Sequence, residues 1–438
     1  MADRAGAVPR NATGDVRSTP GPPEPLPPSV RRDFALLIAS RIFSRLGDGF
    51  LRILAVLLVA AKSNDPMVAG LVLVFRYVSE ILINAVSGPF IDRFRIRTSL
   101  MASDLIRTGL SLLLVGAVLA GRSYAVFLVL SFLGDFAFIF FKPAADKVVK
   151  VNFPASEGTR ILSLVDAANH ASNIGGYALA SFVAATFGLE GAVLLGPVFF
   201  FLSFLLVSRL SLPGEAVIDY GKVRSHSWWE SQREGLRYTW ESRPLRLLLI
   251  GRSLVAIGQG SFSVLSVAYL AGLAKGLSSY GYFESAQSAG KVAVTLLVIP
   301  FLFARRSPFL LTALSLVVVG VSFFGFNLTR DVVLACAVGA MVGAGQASQA
   351  VGVDAILNRY SEAWIQGRAK STTSFGSRLS GLVAIGVVYG LITAGHASPR
   401  TLFGWLGVFP IIGALVFFAG LLAERSGRAE IRKVADGT

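Results

Sequence analysis

The chain alternates long apolar stretches with short polar segments from residue 34 to residue 423. A transmembrane helix needs about 20 mostly apolar residues to cross a hydrocarbon layer of roughly 30 Å. Backbone groups inside a bilayer must be hydrogen-bonded within the chain, so stretches of this length are predicted to be helices. Twelve spans are predicted, at 34–60, 67–90, 98–120, 124–148, 160–187, 191–212, 245–271, 279–304, 308–328, 331–357, 369–394 and 400–423.

The two halves of the chain resemble each other when the sequence is shifted by 211 residues. Several matches at one offset, in corresponding spans, indicate an internal repeat of six helices. The repeat predicts an amino-terminal bundle at 34–212 and a carboxyl-terminal bundle at 245–423. The matches are Arg41 with Arg252, Gly47-Asp48-Gly49 with Gly258-Gln259-Gly260, Gly70 with Gly281 and Pro89 with Pro300.

Composition agrees with a membrane protein, since 53% of the 438 residues are hydrophobic, only 15% are charged and the mean hydropathy is +0.64. The net charge of +15 could indicate nucleic-acid binding, but its distribution argues against that partner. With the amino terminus inside, the outer loops hold only five basic residues, Lys62, Arg122, Lys275, Arg330 and Arg400. This asymmetry follows the positive-inside rule. It predicts a multi-pass protein of the cytoplasmic membrane with both termini in the cytoplasm.

The segments outside the bundles have different compositions. Residues 1–33 are rich in proline and are predicted to be a disordered cytoplasmic tail without a cleaved signal peptide, and 424–438 form a second cytoplasmic tail. Residues 213–244 join the bundles and carry a stripe at helical spacing, formed by Trp229, Arg233, Leu236 and Trp240. The stripe predicts an interfacial helix, with a regulatory or partner-binding role as the alternative. Cys336 is the single cysteine, which excludes a disulfide framework and a CxxC metal site.

Ionisable residues inside the spans must pair with each other or line a wet cavity, because a lone charge at mid-bilayer costs roughly 2.5–3.5 kcal/mol. In the first span Arg41, Arg45, Asp48 and Arg52 share one helical face. Such faces predict a substrate cavity lined by Arg45, Asp48, Arg52, Arg76, Glu80, Asp135, Gln259, Lys291, Gln346 and Arg378.

Some of these charges also have a simpler interpretation. Arg41 and Arg107 lie toward the cytoplasmic ends of their spans, where long side chains can extend to the headgroups. Arg76 and Glu80 are one turn apart and could form an ion pair that only fixes helix orientation. Asp48 could serve only to neutralise its arginine neighbours.

Between the second and third spans lies the basic loop Gly88-Pro-Phe-Ile-Asp92-Arg93-Phe-Arg95-Ile-Arg97. It resembles the loop signature of the major facilitator superfamily, G-x-x-x-D-R followed by basic residues. The segments Ser44-Arg-Leu-Gly-Asp48, Phe141-Lys-Pro-Ala and Glu234-Gly-Leu-Arg-Tyr238 are similar to the macrolide-efflux and enterobactin-exporter branch. The resemblance covers residues 33 to about 423.

The resemblance implies an all-α fold of two pseudo-symmetric six-helix bundles, the major facilitator fold, with a central cavity and alternating access. It also implies a conformational latch in the basic loop, formed by Gly88, Asp92, Arg93 and Arg97 with Asp146 at the inner end of the fourth span. The alternative is a solvated loop that only sets topology.

The sequence departs from the family pattern in three places. Phe303 stands where Asp92 would recur, Leu130 stands where the family carries an arginine in the fourth span, and Gly175-Gly176-Tyr177 replaces a Gly-Pro pair. The first departure leaves only one complete latch, and the other two disfavour ordinary drug/proton antiport. They favour a more specialised substrate or a different coupling route.

The predicted function is secondary active transport, because no nucleotide-binding loop, metal cluster or nucleophile–base pair is present in the sequence. No enzyme activity, metal or cofactor is expected. The surplus of mid-membrane bases predicts a substrate that carries negative charge. Proton coupling is the default energy source, since no nucleotide-binding loop is present. The predicted function is therefore proton-coupled export of an amphiphilic anionic metabolite, such as a siderophore or another secondary metabolite. The proton-coupling candidates are Asp48, then Asp135, then Glu80. Multidrug or macrolide efflux, lipid or lysolipid transport, and a non-transporting scaffold or receptor are the alternatives, and the protein is expected to be a monomer.

Overall fold

The computed structural model describes residues 28–435 apart from 64, 92–94, 153–154, 212–227, 274–275, 277, 298–306, 363–364 and 397. Over these residues the chain is helical and contains no strand. The described helices are α1 (Pro28–Ser63), α2 (Pro66–Ala69), α3 (Leu71–Ile91), α4 (Ile96–Leu119), α5 (Tyr124–Asn152), α6 (Ala155–Val193), α7 (Gly196–Val207), α8 (Trp228–Glu241), α9 (Arg243–Ala271), α10 (Ser278–Leu297), α11 (Pro308–Phe326), α12 (Val332–Tyr360), α13 (Gln366–Thr393) and α14 (Pro399–Ala435).

The predicted spans fall on these helices, with the second span divided between α2 and α3 and with α8 between the bundles. Among the described residues, seven helical segments are long and apolar enough to cross a membrane. They are Ile96–Leu119, Ala171–Val193, Arg243–Ala271, Pro308–Phe326, Val332–Tyr360, Gln366–Thr393 and Thr401–Glu424. The chain is thus a multi-pass, all-α membrane protein.

Local chemistry sets several helix ends. The Asp65 carboxylate accepts a hydrogen bond from the Met67 amide at 2.8 Å, and the Asp331 carboxylate accepts one from the Leu334 amide at 2.8 Å. Each carboxylate satisfies an amide that has no partner within the first turn. Inside α6, Gly188 has φ of 73°, which breaks the helix near the predicted end of the fifth span.

The predicted amino-terminal tail is too long where the structure describes it. α1 begins at Pro28, because proline is tolerated in a first helical turn and because the Asp33 carboxylate accepts a hydrogen bond from the Ser211 amide at 3.1 Å. Residues 28–33 are therefore helical rather than disordered, and 1–27 lie outside the described residues. α14 continues past residue 423 to Ala435, through a segment rich in the helix formers Ala, Glu, Arg and Lys.

The helix pairings of the amino-terminal half recur in the carboxyl-terminal half. α1 packs on α6 and α7, and its repeat partner α9 packs on α13 and α14. Likewise the pairs α3–α5, α4–α5 and α4–α7 correspond to α10–α12, α11–α12 and α11–α14. Between the halves, α3 packs on α13 and α6 packs on α10, which are equivalent contacts under the repeat.

An apolar cluster joins the two halves at one end of the helices, and we call it the outer cluster. It includes Phe50, Ile53, Phe262, Tyr280 and Phe403, all buried. Its members come from the carboxyl-terminal parts of α1, α4, α6, α9, α11 and α13 and the amino-terminal parts of α3, α5, α10, α12 and α14. That end is the one the charge distribution predicts to be extracellular.

Close contact between α10 and α12 depends on glycine, which leads to a stability prediction. A Cβ on Gly343 would overlap the backbone carbonyl oxygen of Gln287, which cannot rotate away as a side chain would. We expect Gly343→Ala to lower the free energy of unfolding by about 1–3 kcal/mol, as overpacked core substitutions do. Thermal unfolding of the purified protein in detergent measures this change.

Gly116→Ala provides the matched control, since no atom lies within 4 Å of a Cβ at Gly116. This variant should unfold at the same temperature as the unmodified protein. Equal unfolding temperatures for both variants would contradict the close packing of α10 and α12.

Candidate functional site

A cavity of about 600 Å³ lies within the amino-terminal half, between α1, α3, α4, α5 and α7. Its ionisable lining residues are Asp48, Arg52, Arg76, Arg107 and Asp135. The rest of its wall is apolar, small or hydroxylated, and is formed by Leu51, Ala55, Val72, Leu73, Leu110, Ser111, Leu114, Leu130, Ser131, Gly134 and Phe200. This volume includes space that is open to solvent.

The first ion-pair network of the site is centred on Asp48 of α1. The Arg107 guanidinium of α4 forms an ion pair with the Asp48 carboxylate, and Arg45 lies 3.6 Å from the same group. Arg107 also donates to the Ser44 hydroxyl at 2.8 Å and lies 3.9 Å from Asp104. Asp48 is therefore neutralised from two helices.

Arg107 does not extend to the headgroups, so that prediction was wrong. Its side chain is only 3% exposed, and its guanidinium stacks 4.0 Å from the Phe200 ring centroid. The fully buried Asp104, one turn before it, accepts a hydrogen bond from the Ser203 hydroxyl at 2.6 Å. Two carboxylates and an aromatic face thus replace the solvent that an extended side chain would reach. Arg41 is likewise 4% exposed, so it too is buried in protein.

The second network joins the two halves near the middle of α3 and α13. Glu80 accepts from Arg76 Nε at 3.1 Å on α3, and Arg378 Nη2 of α13 lies 2.8 Å from its other carboxylate oxygen. The Arg378 guanidinium is 5.2 Å from the Tyr77 ring centroid. The predicted Arg76–Glu80 ion pair is present, and it extends across the interface between the halves.

Two further charged residues face the cavity without joining either network. Arg52 of α1 donates to the Tyr177 hydroxyl of α6, and its guanidinium lies 5.4 Å from that ring centroid. Asp135 of α5 is half-buried in the cavity wall. Within the described part of the chain, neither residue forms an ion pair.

The other predicted cavity residues do not line this cavity, and four of them lie in the carboxyl-terminal half. Gln259 donates to the Gln349 side-chain oxygen at 2.9 Å, and Lys291 donates to the Gln287 side-chain oxygen at 3.3 Å. Gln346 is half-buried on α12. Arg45 and Glu80 contact the lining residues Asp48 and Arg76, and Arg378 is connected to Arg76 through Glu80.

Sequence reasoning missed Asp104, Gln287 and Gln349 as partners of the predicted residues. The spacing along the helix could have indicated two of these partners. Asp104 is three residues before Arg107 and Gln287 is four residues before Lys291, so each pair lies on one helical face.

Only part of the predicted latch can be located. Asp92 and Arg93 lie outside the described residues, and Asp146 lies on α5 with a side chain that is not described. Gly88 is in the last turn of α3. Arg97 donates to the backbone carbonyl of Ser208 after α7, in the same half. The latch therefore stays a prediction.

The linker helix α8 is anchored on α13. Glu234 forms an ion pair with Arg368, and a Cβ on the buried Gly235 would lie 3.0 Å from the Arg368 carbonyl oxygen. Leu236 and Trp240, two residues of the predicted stripe, are about half exposed at 49% and 54%. No group of three or more potential metal-ligating side chains occurs in the described ranges.

Comparison with protein families gives one match, since the model of the Major Facilitator Superfamily matches residues 37–329. Two curated relatives from Bacillus subtilis (strain 168) are uncharacterised MFS-type transporters. YkuC is 26% identical over 243 residues, covering 53% of this chain and 56% of its own, and YfiS is 27% identical over 219 residues, covering 49% and 50%. The chain thus spans about half the length of the curated relatives it matches.

Several solved transporters share the fold at low identity. The nucleoside transporter NupG has a TM-score of 0.68 at 14% identity, covering 89% of this chain and 99% of its own. A peptide transporter POT in complex with sulfate has a TM-score of 0.71 at 13% identity, covering 90% and 95%. The Escherichia coli fucose:proton symporter FucP has a TM-score of 0.60 at 15% identity, covering 89% and 98%. None of these likenesses identifies the macrolide-efflux and enterobactin-exporter branch.

The Asp48–Arg107 pair leads to a second stability prediction. Removing one partner of a buried ion pair leaves an uncompensated charge and costs about 3–5 kcal/mol. We expect Arg107→Met to lower the thermal stability of the purified protein strongly. Adding Asp48→Asn to that variant should recover part of the loss, because one of the uncompensated carboxylates is then neutral.

Arg237→Gln is the control, since the Arg237–Glu241 pair is solvent-exposed and its loss should not change the unfolding temperature. If the Arg107 and Asp48 substitutions destabilise independently of each other, the ion pair contributes nothing and the prediction is wrong.

Proposed function

We propose that this chain, which belongs to the Major Facilitator Superfamily, is a secondary active transporter that exports a small anionic amphiphile in exchange for protons. The observation that carries the proposal is the cavity in the amino-terminal half. It combines three guanidinium groups and two carboxylates with a long apolar wall. Guanidinium groups bind carboxylate and phosphate oxygens through paired hydrogen bonds, which favours an anionic substrate.

The cavity is polar at one end and apolar at the other. Along α1 the lining residues run from Asp48 and Arg52 to Ala55, and along α4 they run from Arg107 to Leu114. Seven residues of helix rise by about 10 Å, so the two ends are separated by roughly that distance. The antiparallel helices α3 and α5 place their charged residues, Arg76 and Asp135, at the same polar end.

This polarity favours an amphiphile in one orientation. Its charged group would lie at the level of Arg52 and Arg76, and its apolar part would lie between Ala55, Leu114 and Leu130 toward the outer cluster. Release of apolar surface from water would stabilise the bound state, while the arginines select the charge. An apolar drug without an acid group would use only half of the cavity.

Alternating access fits the distribution of contacts between the halves. The outer cluster packs both halves together at the predicted extracellular end. The Glu80–Arg378 ion pair joins them near the middle of their helices. Rocking of one half on the other would have to separate the two halves at the outer cluster and break the Glu80–Arg378 pair. This movement would expose the cavity to the opposite side of the membrane.

Three carboxylates remain candidates for proton coupling, and their surroundings differ. Asp48 is paired with Arg45 and Arg107, so its protonation would weaken the network inside the amino-terminal half. Protonation of Glu80 would weaken the link between the halves. Asp135 lies in the cavity wall, where a proton and a bound substrate could influence each other directly.

Neutral variants test the coupling role. We expect Asp48→Asn, Asp135→Asn and Glu80→Gln to abolish uphill transport driven by an imposed pH gradient in proteoliposomes, because each removes a group that can carry a proton. Downhill movement should persist. Asp354→Asn is the control, since Asp354 forms a half-exposed ion pair with Lys370 away from the cavity. If a variant still moves substrate uphill, the residue that it replaces is not the coupling residue.

A metabolite comparison tests the function itself. Cells that lack the protein should retain an anionic amphiphile that cells with the protein release, and purified protein should move that compound in vesicles against its gradient. Handling of lipophilic cations alone would favour multidrug efflux, and movement of a single-chain lipid would favour lysolipid transport. A protein that is inert under every imposed gradient would instead be a scaffold or receptor.

A further inference from the structure

Arg52 and Asp135 are the ionised cavity residues that remain after the two networks are assigned. Asp48 and Arg107 form one ion pair, and Arg76 is held by Glu80, which it shares with Arg378 of α13. Among the described residues Asp135 has no hydrogen-bond or ion-pair partner, and the partner of Arg52 is a neutral phenol, the Tyr177 hydroxyl. The cavity wall thus presents one unpaired cation and one unpaired anion.

These two opposite charges face one space and yet do not form an ion pair with each other. They project from different helices, Arg52 from α1 and Asp135 from α5, and the Tyr177 hydroxyl of α6 holds the guanidinium. A buried charge without a counter-ion is unfavourable in a poorly solvated space. A ligand that carries both charges would satisfy Arg52 and Asp135 together.

We propose that the substrate is zwitterionic, with an acid group for Arg52, an ammonium group for Asp135 and an apolar body for the outer end of the cavity. The inference deepens the proposed function and rests on it. It retains the acid group already assigned to the substrate and adds a cationic group. Compounds of this class include apolar amino acids and their short, uncapped conjugates.

The position of Asp135 also links this recognition to proton exchange. The charged groups that act on its carboxylate are Arg52 of α1, Arg76 and Glu80 of α3 and Arg107 of α4. An ammonium group and a proton cannot both neutralise the same carboxylate. When the ammonium binds, the carboxylic acid O–H gives its proton to water, and when a proton binds, the ammonium is released.

The test compares binding of matched probes to the full-length protein in detergent. The probes are phenylalanine, leucine and their dipeptides, each in the free zwitterionic form, as the N-acetylated anion and as the carboxamide cation. We expect at least one free form to bind roughly tenfold more tightly than both of its capped forms, because each cap removes a charge-assisted hydrogen bond. Isothermal titration or a shift in unfolding temperature measures the affinities.

Two variants assign the charges. Asp135→Asn should abolish the preference for the free form over the N-acetylated form and should keep the preference for the free form over the carboxamide. Arg52→Gln should abolish the preference over the carboxamide and should keep the preference over the N-acetylated form. Asp354→Asn should change neither preference. This crossed pattern separates recognition from a general loss of folding, which would weaken all three forms equally.

The inference is overturned if no probe in the panel binds better when uncapped, including the case in which none binds. It is also overturned if the two variants alter both preferences alike. Tight binding and uphill transport of a capped anion would reject the zwitterion while supporting the proposed function. Zwitterion binding by a protein that transports nothing under any gradient would support the zwitterionic ligand and reject the proposed transport function.

Discussion

The cost of placing charge in an apolar medium governs this molecule. A membrane helix bundle has little solvent to offer an ionised side chain, so each charge needs a partner or a wet cavity. Arg107 shows how strictly this holds. It is almost fully buried, yet Asp48, Ser44 and the Phe200 ring surround its guanidinium. The same requirement places Glu80 between two guanidinium groups. Ion pairs of this kind fix which helix faces meet, so the helix arrangement and the cavity are consequences of one constraint.

The two ion-pair networks differ in the parts of the molecule that they connect. The Asp48 network lies within the amino-terminal half and links α1, α4 and α7. By contrast, the described polar contacts between the halves include the Glu80–Arg378 pair and the Arg378 guanidinium over the Tyr77 ring, and the outer cluster between the halves is apolar. Apolar contacts are nondirectional and can be exchanged for others of similar area. A replaceable interface of this kind is compatible with the two packings that the proposed alternating access requires.

Features that depend on helical periodicity could be predicted from the sequence. Features that depend on contacts between residues distant in sequence could not. The length of the apolar stretches and the polar face of α1 follow from helix geometry alone, so an all-α membrane protein was predicted correctly. The same periodicity predicted that Arg45 and Asp48 share a face of α1, where they lie 3.6 Å apart. The partner of Asp48 on another helix was not predictable, because Arg107 approaches from α4 only after the bundle forms. The start of α1 was missed for a similar reason, since the Asp33–Ser211 hydrogen bond joins residues distant in sequence.

The internal repeat explains why the cavity belongs to one half. Under the 211-residue offset Asp48 corresponds to Gln259, so the carboxylate of α1 is replaced by an amide in α9. Gln259 pairs with another amide, Gln349, and neither can change charge. The same offset places Lys291 opposite Glu80, which reverses the sign of the charge. The carboxyl-terminal half therefore keeps the helix pairing without counterparts of Asp48 and Glu80, although α10 carries Glu284 at another position. The described charged cavity lies in the amino-terminal half, and the other half contributes Arg378 to the polar contact between them.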